Sequence, residues 1–190
     1  MKPSAARVAA RWLLGAAKGV KDLPEGVYVG LDLYGDELRV FFSDAEGEEL
    51  FKGEGPIYGH VEAYLPASDT GPCLGAFIVR HAIATGGFGP LLYDLAMEAA
   101  GKRGLTADRK KVSPSALRVW DYYMNSRPDV RTEQLDHSPG ADEHLTRTPK
   151  DDCDQSAARD QLDSPLAQVY YAKGIPTIRA LERAGLLVRL

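Results

Sequence analysis

Alternation of apolar and polar residues along the first half of the chain predicts a series of short β-strands. In Glu37 to Ser43, Leu38, Val40 and Phe42 repeat with the two-residue period of a strand that has one buried face. Short, turn-rich connections favour an antiparallel meander over βαβ units. The predicted strands of this half are Val27 to Leu33, Glu37 to Ser43, a weak one at Glu49 to Lys52, Ile57 to Leu65 and Leu74 to Ala84.

Five other segments have the spacing of amphipathic helices. Most of them begin at a proline, which fits the first helical position because its missing N–H would have no partner there. The predicted helices are Pro3 to Lys18, Leu91 to Lys102, Ser113 to about Met124, Ser164 to about Lys173 and Ile175 to Gly185, with short strands at Leu105 to Asp108, Asp129 to Leu135 and Leu186 to Leu190. Neither an internal repeat nor a linker interrupts this order. We therefore expect one domain over residues 1–190, with an N-terminal helical extension (1–22) and C-terminal helices (164–190).

Residues 136–163 are polar and aperiodic, which predicts a long loop or an extended arm. The acidic run around Asp152, with His137 and His144 nearby, raises the question of a metal site. It has no recognised ligand spacing, so we favour a solvated loop and expect no metal. The arm and the N-terminal helix are the segments we expect to contact a protein partner, if the helix does not simply lie across the domain surface.

Composition indicates a soluble globular protein. The 190 residues are 44% apolar and 26% charged, and the formal net charge of −4 gives no general attraction to nucleic acid or acidic membranes. Apolar runs fall short of the ~20 residues that cross a bilayer. The two cysteines, Cys73 and Cys153, provide neither a disulfide framework nor a zinc spacing. We therefore expect a reducing, cytoplasmic location.

A glycine-rich turn connects the most apolar predicted strand to the next helix. The strand ends near Ala84, the turn is Thr85 to Gly89, and Pro90 opens the helix. Glycines allow successive backbone N–H groups to converge, and the first turn of a helix has N–H groups without intrahelical partners. The pattern predicts an anion site suited to a phosphate or pyrophosphate.

The same turn resembles the signature of the GNAT (Gcn5-related N-acetyltransferase) superfamily. That signature is an Arg or Gln, two residues, Gly, one residue, and then Gly or Ala. Gly87 and Gly89 match it, whereas Ala84 stands where the family has Arg or Gln.

A later helix is also similar to this family. Val112 to Leu117 resembles its pattern with Ser113 at the usual Asn, and Trp120 stands at the usual Tyr. The sequences of the segments GPLLYDLAMEAA, VSPSALRVWDYY and QLD resemble acetyltransferase-like proteins carried by bacteriophages. The resemblance covers roughly Val27 to Leu135. It implies a GNAT-like α+β fold, with a mixed, mostly antiparallel central sheet flanked by helices.

The resemblance further implies that acetyl-coenzyme A is the cosubstrate. Its pyrophosphate would lie on the turn, and its pantetheine arm would run along the preceding strand like an added β-strand. Without the family's Arg or Gln side chain at position 84, the backbone donors and the helix dipole would hold the anion. The alternative is that the turn merely lets the helix pack closely on the strand. The implied cofactor-binding residues are Ile83, Ala84, Thr85, Gly86, Gly87, Phe88, Gly89, Pro90, Leu91 and Ser113.

Acyl transfer to an amine needs an acid for the leaving thiolate, and the family's usual tyrosine is Trp120 here. An indole N–H only donates, so Tyr122 or Tyr123 would have to take that role. The alternative places Tyr123 in the core and Tyr122 on the surface. Candidate bases are His81, His60 and Glu62, although a single histidine on a strand is more often structural.

Three functions remain open. The first is an acyl-coenzyme A-dependent N-acyltransferase that acts on an unidentified amine, either a small molecule or a protein. The second is a catalytically inactive GNAT-fold protein with a structural or interaction role, for example in a phage particle or in the host cytoplasm. An enzyme of another class with a phosphate ligand at the same turn is a third. For an acceptor we expect a pocket formed by Pro66 to Pro72 and the arm after Leu135.

Overall fold

The computed structural model describes residues 26–44, 57–84, 89–157 and 162–190. The strands are β1 (Tyr28–Tyr34), β2 (Glu37–Ser43), β3 (Ile57–Tyr64), β4 (Phe77–Ala84), β5 (Leu105–Thr106), β6 (Val130–Gln134), β7 (Gln168–Ala172) and β8 (Leu187–Arg189). The helices are α1 (Gly89–Ala100), α2 (Pro114–Ser126) and α3 (Pro176–Ala184), and a 3-10 turn covers Cys73–Gly75. The predicted helix Pro3 to Lys18, which makes up the N-terminal extension, and the weak strand at Glu49 to Lys52 lie outside the described residues.

The strands form a mixed sheet in the order β6-β7-β5-β4-β3-β2-β1-β8. β1 and β2 form the predicted antiparallel hairpin, with Tyr34 opposite Glu37. β1 pairs parallel with β8, and β4 pairs parallel with β5. The α+β class with a mixed sheet is therefore confirmed.

The chain is divided into two compact units. The first comprises Met1–Glu62, His81–Ala99 and Gly174–Leu190, and the second comprises Ala63–Arg80 and Ala100–Lys173. In the first unit, Val29 and Phe42 of the hairpin are buried, as are Leu92 and Leu95 of α1. In the second unit the buried side chains include Ile78, Leu135, Val169, Trp120, Tyr123 and Tyr170.

A buried carboxylate holds the start of α3 in the first unit. Glu98, near the end of α1, accepts hydrogen bonds from the backbone N–H groups of Thr177 (3.0 Å) and Ile178 (2.8 Å). These belong to the first turn of α3, where N–H groups have no intrahelical partner. Burial raises the pKa of Glu98 above its usual range even though the N–H donors oppose this, and the nearby Asp94 adds to the increase. α1 and α3 are thus joined by a polar contact that neither helix signals alone.

The helix predicted from Ser164 to Lys173 is wrong, because β7 occupies Gln168–Ala172. This strand pairs antiparallel with both β5 and β6, and Val169 and Tyr170 are fully buried there. β-branched and aromatic residues suit a strand that is covered on both faces. Pairing with two neighbours therefore outweighed the helix-start signal of Ser164-Pro165.

The expectation of no disulfide is also wrong. Cys73 and Cys153 form a disulfide across a sequence separation of 80 residues, and both are fully buried. The arm brings them together: the N–H of Cys73 donates to the carbonyl of Asp152 (2.9 Å), and the N–H of Leu74 donates to that of Lys150 (2.7 Å). Two cysteines so far apart give no sequence pattern, because their pairing depends on how the chain folds.

Candidate functional site

The end of β4 and the start of α1 form the candidate cofactor site, in the first unit. β5 pairs with Phe77 and Ile78 alone, the first two residues of β4. Beyond Ile78, no described strand pairs with β4 on the side of β5, and every residue of the strand from Arg80 to Ala84 is exposed. β4 therefore presents an open edge of backbone donors and acceptors, on which another extended chain can add.

A glycine in the neighbouring strand lies close against the end of this edge. A Cβ atom on Gly59 would lie 2.9 Å from the carbonyl oxygen of Ile83 and 3.1 Å from both Cα of Ala84 and Cδ1 of Leu92. β3, the end of β4 and the first turns of α1 meet at this point, and only a residue without a side chain leaves them room. Sequence reasoning missed Gly59, although an isolated glycine in a strand pattern often marks such a close approach.

The strand-to-helix connection follows the prediction at both of its ends. Ala84 is the last residue of β4, and α1 begins at Gly89, where a Cβ atom would lie 3.8 Å from that of Ala84. Leu91 is fully buried, whereas Pro90 is partly exposed. The start of the helix is thus close to the end of the strand. Thr85, Gly86, Gly87 and Phe88, the centre of the predicted site, lie outside the described residues.

The candidate bases lie on β3 and β4 with different surroundings. Glu62 is 3.3 Å from Nε of Arg39 and 3.9 Å from Nε2 of His60, so its carboxylate is shared between two neighbours. His81 is exposed on β4, beyond the part that pairs with β5. Of these residues, His81 is the one directly on the open edge strand.

The two candidate acids on α2 differ in exposure. Tyr123 is fully buried, with its ring centroid 6.3 Å from those of Trp120 and Tyr170 and with Arg127 over the ring at 5.2 Å. Tyr122 is 46% exposed. Their positions are those of the alternative interpretation, in which Tyr123 belongs to the core.

Ser113 has a local structural role. It is the N-cap of α2, and its hydroxyl accepts a hydrogen bond from the N–H of Ala116 (3.2 Å). Ser113 and both tyrosines belong to the second unit, whereas Ile83, Ala84 and Gly89 belong to the first. Among the predicted cofactor-binding residues that the structure describes, those at the end of β4 and at the start of α1 therefore lie together.

The described part of the polar arm is organised by Asp136. Its carboxylate accepts hydrogen bonds from the N–H groups of His137 (2.6 Å), Leu145 (2.8 Å) and Thr146 (2.8 Å). Burial by itself would raise the pKa of Asp136, but these donors and the nearby His144 lower it below its usual range. Asp136 is therefore the anchor around which the arm turns back on itself.

Three side chains of the arm have the donor types of a cation site. Asp136, His144 and Asp152 each offer one ligand atom, all within 4.8 Å of one another. Both oxygens of Asp136 already accept backbone N–H groups, however, and His144 Nδ1 lies between the two carboxylates at 3.6 Å and 3.5 Å. Contacts within the arm thus join these three side chains to one another and to the backbone.

A buried arginine fastens the far end of the arm. Arg109 donates from Nε to the carbonyl of Asp154 (2.8 Å) and from Nη1 to Thr106 (2.9 Å) and the carbonyl of Leu166 (2.8 Å). Burial lowers the pKa of Arg109 to about 10, against the effect of nearby Asp154 and Asp108. These contacts link β5 to residues on both sides of 158–161, which the structure does not describe.

The two loops that we expected to form a pocket lie together in the second unit. They border an open groove of about 570 Å³. Its lining comprises Leu65, Pro66, Ala67, Ser68, Gly71, Pro72, Gly75, Arg103, Pro139, Pro149 and Asp152.

Comparison with known protein families, with curated proteins and with solved structures finds no match to this chain. Within the described ranges, no helix combines the length and the apolar character that crossing a membrane requires.

Proposed function

We propose that this chain is an acyl-coenzyme A-dependent N-acyltransferase with a GNAT-like fold, and that acetyl-coenzyme A binds where β4 leads into α1. The observation that carries the proposal is the open edge of β4 beyond Ile78, which ends next to the start of a 12-residue helix. An extended pantetheine arm can bond to such an edge as an added strand would. The helix start supplies N–H groups and a positive dipole end for the pyrophosphate.

The sheet gives further support. The parallel pair of β4 and β5 is joined over two residues only, so β5 does not use the backbone groups of β4 beyond Ile78, and a cosubstrate could bond to them. The residues from Arg80 to Ala84 along this part of the strand are exposed, with His81 among them. His81 is therefore our candidate for the general base, and Tyr122 is preferred to the buried Tyr123 as the acid.

The proposal is tested by ligand-dependent thermal stability. Acetyl-coenzyme A at ~100 times its dissociation constant should add about 2.7 kcal/mol, which is roughly 5–10 °C in melting temperature for a chain of this size. Gly87→Arg should abolish the shift, because its side chain would fill the turn. Gly140→Arg is the matched control: Gly140 is exposed and, apart from its chain neighbours, no group lies within 4 Å of its Cβ position. Its φ of +82° makes the variant less stable by about 1 kcal/mol without ligand, but the ligand-dependent shift should remain. An unchanged shift in Gly87→Arg would place the cosubstrate elsewhere.

A second candidate is a GNAT-fold protein without catalysis, and the burial of Tyr123 beside Trp120 favours it. Release of coenzyme A thiol in the presence of a panel of amines separates the two. Transfer that falls in both His81→Ala and Tyr122→Phe supports the enzyme. A thermal shift without thiol release supports the inactive protein.

A further inference from the structure

The groove of the second unit is built from two loops that are covalently and non-covalently joined. One wall comes from the segment between β3 and β4 (Leu65 to Gly75), and the other from the arm, at Pro139, Pro149 and Asp152. The disulfide between Cys73 and Cys153 joins the two walls directly next to lining residues. The backbone N–H groups of Cys73 and Leu74 both donate hydrogen bonds to carbonyls of the arm. The groove therefore exists only because the two loops are held together.

The walls are stiff. Four of the eleven lining residues are prolines, whose φ angles are fixed, so little backbone freedom remains to be lost on binding. Gly71 has a φ of +94°, and a Cβ atom there would lie 2.6 Å from the carbonyl oxygen of Asp152. Cys73 and Leu74 hold φ angles of 48° and 56°, which residues with side chains rarely adopt. Such strained backbone persists where the surrounding structure holds it, often at ligand sites.

The charges in the groove are unequal. Asp152 lies 3.5 Å from Nδ1 of His144 and its side chain is 14% exposed, so this carboxylate already has a polar neighbour. Arg103 is exposed, and among the described residues its guanidinium takes part in no hydrogen bond or ion pair. Its Nη1 lies 3.9 Å from the Cβ position of Gly75, another lining residue. Arg103 is therefore the charged group of the groove that is exposed and has no such neighbour among the described residues.

Backbone donors do not add to this charge. The N–H groups of Cys73, Leu74 and Gly75 are the ones that a turn of this kind would offer to an anion. All three already donate, to the carbonyls of Asp152, Lys150 and Pro72. An anion in the groove thus has Arg103 as its partner.

We propose that this groove binds a small molecule with an apolar body and one carboxylate, which pairs with Arg103. The apolar body would lie against Leu65 and the proline walls, and a planar guanidinium can donate hydrogen bonds to both oxygens of a carboxylate at once. A volume of about 570 Å³ lies within the range of small-molecule sites. The groove is formed by the two loops of the expected acceptor pocket, but this binding proposal rests on the groove lining and Arg103 and does not depend on the proposed acyl transfer.

Three probes of the same shape and different charge test the proposal: phenylbutyrate, phenylbutyramide and phenylbutylamine. Binding is measured from backbone amide shifts in NMR spectra of the full chain. Phenylbutyrate should shift amides of the groove segments and bind at least ~10-fold more tightly than either other probe. Arg103→Gln should remove this preference, whereas Lys102→Gln, which alters the neighbouring exposed cation outside the groove, should keep it.

Three results would overturn the proposal. One is no shift from phenylbutyrate at ~10 mM, a concentration at which even a millimolar ligand would bind. Another is tighter binding of phenylbutylamine, which would make Asp152 the recognition group. The third is an equal loss of affinity in Lys102→Gln and Arg103→Gln, which would reveal general electrostatic attraction and no site.

Discussion

Loss of the Cys73–Cys153 disulfide should strongly destabilise the protein, and the structure allows the size of the effect to be worked out. A cross-link between residues 80 apart restricts the unfolded chain, and the chain-entropy relation for a loop of that length gives about 4.5 kcal/mol at 25 °C. Reduction also frees Cys73 to leave its left-handed backbone conformation, which offsets about 1 kcal/mol. We therefore expect reduction to lower the free energy of unfolding by roughly 3–4 kcal/mol.

Urea unfolding of the oxidised and the reduced protein measures this difference. With a slope of ~2–3 kcal/mol per molar urea, the midpoint should fall by roughly 1.5 M. The control is the double variant Cys73→Ser/Cys153→Ser, whose unfolding should not respond to reductant. Equal midpoints for the oxidised and reduced chains would refute the reasoning. So would alkylation of both cysteines in the denatured protein without reductant, since no cross-link would then be present.

Three further predictions follow from single contacts. Glu98 keeps its proton to a higher pH in the folded protein than in the unfolded chain. The free energy of unfolding should therefore fall as the pH rises from 4.5 through the folded pKa of Glu98. Urea unfolding at a series of pH values measures this, and Glu98→Gln should lack the dependence. The pKa of Asp136 is lowered in the folded protein, so its contribution to the free energy of unfolding is present above pH 3.8 and is lost as the pH falls through the folded pKa. Asp136→Asn should lower the free energy of unfolding by about 1.5–3 kcal/mol at neutral pH. A loss below 0.5 kcal/mol would contradict the role of Asp136 as the anchor of the arm. Gly59→Val should destabilise the protein by about 1–3 kcal/mol in chemical denaturation, because the valine side chain would collide with Ile83 and Leu92. The comparison is Gly140→Ala at an exposed position, which should lose about 1 kcal/mol because Gly140 has a positive φ.

Local signals predicted most of the elements well. Ser113 caps α2 as expected, and α3 ends at Gly185, which has a φ of +68° and lets the helix terminate. The hairpin of β1 and β2 follows from alternation plus a two-residue turn. In each case the residues that specify the element lie within a few positions of it, so a single sequence is sufficient.

The candidate site was predictable in part. The apolar strand, the glycine turn and the helix start are adjacent in the sequence, and β4 and α1 are where we expected them. Gly59 and the short pairing with β5 were not foreseen, because each depends on a strand from another part of the chain. The catalytic roles of His81, Tyr122 and Tyr123 remain predictions.

What the sequence by itself determined is the type and order of most strands and helices, since periodicity, caps and turn residues act over a few positions. Tertiary structure alone decided that Gln168–Ala172 is a strand, that Cys73 meets Cys153 and that the polar arm folds around Asp136. The strand and the disulfide depend on partners tens of residues away, and the arm depends on N–H groups 9 and 10 residues beyond Asp136. Their energies come from pairing, burial and cross-linking, and these exist only after distant segments have been brought into contact.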